Sequence, residues 1–98
     1  DSNKASMLGY CRDIIDFDPL GKKLNSFRWK VFNVDGHDIA KLFDTLTKMK
    51  KTRKGNPKIL IADTVKGKGV PRLENDPLSH IKSLTPEEVD SIIERFFG

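Results

Sequence analysis

The sequence has almost no cysteine and no long apolar run. One cysteine among 98 residues cannot form an internal disulfide, which favours a reducing, cytoplasmic compartment. The longest uninterrupted apolar stretch is the four residues "ILIA", far short of the ~20 needed to span a bilayer. We therefore expect no membrane association, and we see no signal peptide and no internal repeat. Because the chain begins with Asp1, we also expect it to be cut from a longer sequence.

The charge balance is basic, with a formal net charge of +4, but it does not define a partner. Charged residues make up 33% and hydrophobic residues 37%, which is ordinary for one globular unit. Much of the excess lies in "KMKKTRKG" (48–55), which could bind nucleic acid. This run has no interleaved aromatics and no nucleic-acid-binding motif, and cations complement the dipole at a helix C-terminus. We therefore predict a solvated helix end and no nucleic-acid partner.

Strands alternate with amphipathic helices along the chain, which is typical of a parallel α/β sheet. The predicted strands cover residues 30–35 and 58–65, and the second is apolar enough to be covered on both faces. A helix is predicted after "DFDP", with Asp18 as its cap and Pro19 at its first position. Because two strands are too few for a complete sheet, the chain is predicted to form one end of an α/β domain.

Two further helices have clear start signals. Asp38 is predicted to cap the first, which continues through the basic run to Gly55. Thr85 and Glu88 form the S/T-x-x-E capping box of the second. Apolar residues at helical spacing predict a buried face on each helix: Ile39, Leu42, Phe43, Leu46 and Met49 on one, Val89, Ile92, Ile93 and Phe96 on the other. The aromatic side chains Phe32, Phe43, Phe96 and Phe97 are predicted to be core.

The segment "TVKGKGVPRLENDPLSH" (64–80) follows the second strand and is either a mobile loop or a ligand-facing one. Gly67 and Gly69 allow a ligand to approach the backbone closely, and ligands of open α/β sheets collect at the carboxyl ends of strands. The segment lacks both the dinucleotide fingerprint and the P-loop pattern. His80 ends it, although a lone histidine is more often structural than catalytic. His37 is predicted to bond local backbone in its turn, and no zinc-ligand spacing is present.

Four separated segments resemble transketolases, over residues 1–97. "FRWKVFNVDGHDIAKLFDTL" is similar to their W-x-V-x-x-V-D-G-H-D-x-x-x-L segment, and "ILIADTVKGKGVPRLENDPLSH" to their K-T-x-K-G-K-G-V…E-N…H-G segment. "DSNKA" and "DPLGKKLNSFRW" are similar to the turn and the helix that precede them. The match is nearest to the N-terminal subunits of split bacterial-type transketolases. It implies that residues 1–98 are the C-terminal portion of a three-layer α/β/α, thiamine-diphosphate-binding domain with a parallel sheet.

The resemblance also implies roles for particular residues. The side-chain oxygen of Asn3 and the backbone carbonyl of Ala5 are expected to ligate the Mg²⁺ that holds thiamine diphosphate. Gly67 and Gly69 are expected to line the cofactor cleft. His80 is the expected catalytic residue, which hydrogen-bonds oxygens of a sugar phosphate substrate and assists proton movement.

The resemblance implies a transferase that moves a two-carbon ketol unit between sugar phosphates. The family's aspartate ligand lies upstream of Asn3, and its glutamate reaches across a dimer interface from another domain. The isolated chain is therefore expected to be inactive without the pyrimidine-binding and C-terminal domains or subunit. The alternative is a non-catalytic complementing or interaction piece of a multi-chain enzyme. Family positions held by glycine or tryptophan carry Arg28, Leu78 and Ile81 here, which favours a specialised donor or acceptor.

Overall fold

The computed structural model describes residues 1–52, 55–74 and 76–98. Its strands are β1 (Ala5–Ser6), β2 (Gly9–Tyr10), β3 (Lys30–Asp35) and β4 (Lys58–Asp63). Its helices are α1 (Cys11–Ile14), α2 (Leu20–Ser26), α3 (Ile39–Lys51), α4 (Pro71–Glu74) and α5 (Pro86–Phe97), with a 3-10 helix at Pro77–His80. The end of the basic run, Arg53 and Lys54, and Asn75 of the loop motif lie outside the described residues.

Strands β3 and β4 form a parallel pair joined through α3. They pair along their full lengths, from Lys30 opposite Lys58 to Asp35 opposite Asp63. Ser2 forms a single parallel bridge to Asp63, so one residue of the N-terminal segment lies beside the last residue of β4. The predicted α/β class with parallel strands is confirmed. The second strand ends at Asp63, two residues before its predicted end at 65, because β3 also ends at the paired residue Asp35.

The core lies on this strand pair and is small. Val34 and Ile61 are the buried apolar side chains, each 8% exposed. Helix α2 packs close to the sheet at Gly21, where an added Cβ would lie 3.5 Å from Val31 Cγ1 and 3.8 Å from Ile61 Cδ1. The predicted double coverage of β4 is only partial, since its other apolar residues are half-buried.

The predicted starts of the two long helices are confirmed. The Asp38 carboxylate accepts the Lys41 N–H at 3.0 Å, which satisfies a free amide of the first turn of α3. At α5, the Thr85 hydroxyl accepts the Glu88 N–H at 3.3 Å, and the Glu88 carboxylate accepts the Thr85 N–H at 2.9 Å. Both starts depend on residues within three positions, so they are readable from sequence.

Two predicted helix boundaries are wrong. Helix α2 starts at Leu20 with Pro19 as its cap, one residue after the predicted cap Asp18. The Asp18 N–H donates to the Asp16 carboxylate at 3.0 Å, in the turn before the helix. Helix α3 ends at Lys51, before Gly55. The Lys58 ammonium at the start of β4 donates to the carbonyls of Met49 and Thr52, both at 2.7 Å. A distant side chain therefore satisfies the helix end, which local sequence could not reveal.

The predicted burial of the helix faces is wrong for this chain. Ile39 is 82% exposed and Phe43 69% exposed in α3, and α5 exposes Val89, Ile93, Phe96 and Phe97. The radius of gyration is 17.0 Å, whereas a compact chain of this length would have about 13 Å. The described residues thus leave these side chains largely uncovered, whereas Leu42, Met49 and Ile92 of the same faces are half-buried. Among the helices of the described ranges, none is both long and apolar enough to cross a membrane.

Candidate functional site

A turn at the N-terminus lies at the carboxyl end of β4. Ser2 is held there by its N–H, which donates to Ala62 O at 2.8 Å, and by its carbonyl, which accepts the Thr64 N–H at 3.2 Å. The next residue, Asn3, turns the chain with its side-chain oxygen, which accepts the Ala5 N–H at 3.0 Å. The turn therefore places Asn3 and Ala5 at the strand end.

A cleft of about 240 Å³ opens beside this turn. Its lining comes from the turn and from the loop after β4, namely Ala5, Ser6, Met7, Lys66, Pro77 and His80. We call it the Ala5–His80 cleft. Two of the predicted site residues, 75 positions apart in the sequence, thus share one cleft, and Asn3 lies in the turn that forms its edge.

Lys66 is a charged residue of this cleft that sequence reasoning missed. Its ammonium nitrogen lies 3.3 Å from His80 Nδ1. An ammonium group can only donate, so Nδ1 is the acceptor and the neutral ring carries its proton on Nε2. The Nε2–H of His80 is then a hydrogen-bond donor beside a fixed positive charge. The signal for Lys66 was its place between the strand end and Gly67.

The 3-10 helix positions His80. The Asp76 carboxylate caps it by accepting the Leu78 N–H at 2.9 Å, and it also pairs with the Lys82 ammonium. The hydrogen bond from Lys82 and then the one from the Leu78 amide lower the pKa of Asp76 from its ordinary value of 3.8. Asp76 therefore stays ionised at neutral pH and keeps its cap on the helix that carries His80.

Gly67 and Gly69 lie in the loop between β4 and this helix, with φ angles of 73° and 92°. An added Cβ at Gly67 would lie 2.6 Å from Leu73 Cβ, and one at Gly69 would lie 3.1 Å from the Phe96 ring. The Gly69 N–H donates to the Glu74 carboxylate at 2.8 Å. Both glycines are thus required by the fold of the loop itself, and their contact with a cofactor stays a prediction.

His37 contacts a distant part of the chain. Its Nε2 accepts the Val65 N–H at 2.8 Å, joining residues 28 positions apart. The prediction of a local backbone partner is wrong, because the turn after β3 and the segment after β4 meet at the same sheet edge.

The donor chemistry of the N-terminal turn fits a hard cation. Asn3 offers an amide oxygen with a second lone pair, and Ala5 offers a backbone carbonyl, both neutral oxygen donors of the kind Mg²⁺ accepts beside phosphate oxygens. The described ranges contain no group of three or more His, Cys, Asp or Glu residues that could hold a metal. The turn therefore offers two oxygen donors that suit Mg²⁺, and their role as metal ligands stays a prediction.

Comparison with known proteins gives consistent matches along the chain. The family model described as "Transketolase, thiamine diphosphate binding domain" matches residues 1–98. One subunit of the apulose-4-phosphate transketolase of Actinobacillus succinogenes is 36% identical over 94 residues, which cover 96% of this chain and 33% of that protein. The 6-deoxy-6-sulfo-D-fructose transketolase subunit SqwG of a Clostridium species is 33% identical over 87 residues, which cover 89% of this chain and 31% of that protein.

The fold matches as well. The crystal structure of transketolase from Campylobacter jejuni superposes with a TM-score of 0.83 at 27% identity, over 97% of this chain and 15% of that one. This chain spans about a third of the length of the curated relatives named above. With its motifs, its parallel strands and the family match over residues 1–98, the chain belongs to the thiamine-diphosphate-binding domain family of transketolases.

Proposed function

We propose that this chain is the C-terminal portion of the thiamine-diphosphate-binding domain of a transketolase-like transferase. The assembled enzyme moves a two-carbon ketol unit between sugar phosphates in the cytoplasm. The observation that carries the proposal is the Ala5–His80 cleft, which brings the candidate metal turn and the candidate catalytic histidine to one place. The relatives named as transketolase subunits support the reaction class.

The N-terminal turn is proposed to hold the cofactor. Asn3 Oδ1 and the Ala5 carbonyl would ligate the Mg²⁺ that binds the diphosphate, and the Gly67–Gly69 backbone would pass beside the cofactor. When bound, thiamine diphosphate supplies the carbanion chemistry at its thiazolium ring. The turn's part is to orient the diphosphate, since it is itself fixed by Ser2 on the end of β4.

His80 and Lys66 are proposed to bind the substrate. The Nε2–H of His80 donates to a sugar oxygen as negative charge grows on it, and the Lys66 ammonium beside Nδ1 keeps the ring in that tautomer. Lys66 also adds positive charge to a cleft that would receive a phosphorylated substrate. The two side chains therefore act together on one anionic ligand.

Activity is proposed to need the pyrimidine-binding and C-terminal parts of the enzyme, as separate domains or as a subunit. The exposed faces of α3 and α5 support this requirement, because contiguous apolar surface of this kind is normally covered by a partner.

The test compares the purified chain with the complex that it forms with its complementing polypeptides. The chain alone should give no carbon–carbon bond turnover, and any measurable turnover by it would contradict the proposal. In the complex, His80→Ala should lower kcat about 100-fold or more, as for loss of a group that acts on developing charge. The matched control is Lys48→Ala, at an exposed position on the side of α3 opposite Ile39 and Phe43, and it should leave kcat unchanged.

A second candidate is a non-catalytic complementing piece, which the same exposed helix faces favour. Native mass spectrometry would find the chain bound to its partner under either function. The two are separated by His80→Ala: a complex that assembles normally and keeps full turnover would identify the chain as non-catalytic.

A further inference from the structure

We infer that His37 is a positioning residue for the Ala5–His80 cleft. Its neutral Nε2 accepts the Val65 N–H at 2.8 Å and so fixes the second residue of the loop that carries Lys66 and His80. The histidine itself is not among the residues that line the cleft. Any effect of His37 on turnover rests on the proposed function, whereas the hydrogen bond can be measured without it.

The turn after β3 holds the backbone of His37 from both sides. The Asp35 carboxylate accepts the His37 N–H at 2.9 Å, at the last residue of β3. The next residue, Asp38, donates its N–H to Asp35 O at 3.2 Å and caps α3 with its side chain. The backbone of His37 is therefore fixed between the end of β3 and the start of α3, which fixes the position from which its ring extends.

This turn lies directly against the end of β4. The Gly36 N–H donates to Asp63 O at 2.7 Å, and an added Cβ at Gly36 would lie 3.2 Å from Ala62 Cβ and collide with the Thr64 methyl group. Only a glycine allows the two chain segments to come this close. The ring of the following residue then reaches Val65, across the edge of the sheet.

Val65 is held by hydrogen bonds at both of its backbone polar groups. Its carbonyl accepts the Lys68 N–H at 3.1 Å, which closes the turn containing Gly67. The residue after Val65 is Lys66, whose ammonium contacts His80. Both the N–H and the carbonyl of Val65 are therefore hydrogen-bonded. Because Lys66 is the next residue, we infer that the bond to His37 helps to place it in the cleft.

The bond requires one protonation state of the ring. Because Nε2 accepts, the neutral imidazole of His37 carries its proton on Nδ1, and a doubly protonated ring would have no acceptor for Val65. His37 and His80 are thus assigned opposite tautomers, with the proton on Nδ1 in the first and on Nε2 in the second.

Nuclear magnetic resonance of the ¹⁵N-labelled 98-residue chain tests the bond directly. A coupling through the hydrogen bond should correlate the Val65 amide nitrogen with His37 Nε2, and the His37 ring nitrogens should report the Nδ1–H tautomer. A His37 ring with its proton on Nε2 and no such coupling would overturn the inference.

Paired variants test the positioning role. His37→Gln keeps an acceptor of similar reach, whereas His37→Leu removes it. The Leu variant should speed hydrogen exchange at the Val65 amide roughly threefold to tenfold, as expected for one lost hydrogen bond. It should also shift the ring resonances of His80, while the Gln variant and the control Lys48→Leu, on the polar side of α3, stay near the native values. Unchanged Val65 exchange and His80 resonances in His37→Leu, or a Gln variant as altered as the Leu variant, would overturn the inference.

In the assembled enzyme, His37→Leu should lower kcat and His37→Gln should restore most of it. Suppose that His37→Leu shows the expected exchange and resonance changes but the native complex shows no turnover. That result would contradict the proposed function and leave the positioning role intact. The two hypotheses therefore fail by different measurements.

Discussion

The sequence indicates both the carboxyl edge of the strand pair and the apolar faces of α3 and α5, but only the edge is held by contacts among the described residues. At the edge, Gly36, Val65 and Ser2 each take part in hydrogen bonds that join segments distant in sequence. On the helix faces, large apolar side chains such as Phe43 and Phe97 remain exposed. The described residues therefore hold the edge together by their own hydrogen bonds, whereas they leave large apolar side chains of α3 and α5 exposed.

The largest expected effect is on the free energy of unfolding, when isoleucine is replaced by alanine in the strand pair and on the face of α3. Ile61→Ala, at a side chain only 8% exposed, should lower the free energy of unfolding by about 2–5 kcal/mol. Ile39→Ala removes the same atoms from a side chain 82% exposed and should change it by less than about 0.5 kcal/mol. Urea unfolding of both variants measures the difference, and equal losses would mean that the face of α3 is covered within the chain.

The second effect concerns the close contact between the strand ends. Gly36→Ala places a methyl group against Thr64 and 3.0 Å from Asp63 O, so it should cost about 1–3 kcal/mol of unfolding free energy. Thr64→Ser removes the colliding methyl and should recover part of that loss in the double variant. The control is Gly55→Ala, where an added Cβ meets no atom of the described residues within 4 Å. Thermal unfolding of the set would contradict the close approach if the two glycine variants behaved alike.

The smallest effect is a pH dependence at Asp76, which caps the 3-10 helix that carries His80. The pKa of Asp76 is lowered in the folded chain, so the stabilisation it gives the 3-10 helix is present above the ordinary carboxyl pKa. It is lost as pH falls through the lower, folded value. The Asp76 carboxyl carbon resonance, followed during acid titration, should report a midpoint below 3.8. Lys82→Gln removes the largest cause and should raise that midpoint, whereas an unchanged midpoint would show that the Lys82 bond does not act on Asp76.

Features set by neighbouring residues could be read from the sequence. Asp38 and the Thr85–Glu88 box start their helices as predicted, because a cap needs only the amides of the next turn. The parallel strand pair was also predictable, since a helix between two strands leaves little other choice. The short helices inside segment 64–80 were not predicted, and neither was the β1–β2 pair, whose two-residue strands have no periodicity to detect.

The candidate site was predictable only as a set of residue types. Resemblance selected Ala5 and His80, which line one cleft, whereas Lys66 had only its place between the strand end and Gly67 as a signal and was missed. The partner of His37 was missed because Val65 is distant in sequence. Helical spacing correctly located the apolar faces of α3 and α5 but could not say whether this chain covers them. Contacts between distant segments are thus where the sequence analysis failed.

Ser2 makes the candidate metal turn an extension of the sheet. Its two backbone hydrogen bonds place it opposite Asp63, so Asn3 begins one residue beyond the last rung of β4. Successive side chains of an extended segment point to opposite faces, so a slip of one residue would reverse the direction of the Asn3 amide. A shift in the alignment of Ser2 with Asp63 would therefore carry the candidate ligand Asn3 along the sheet edge with it.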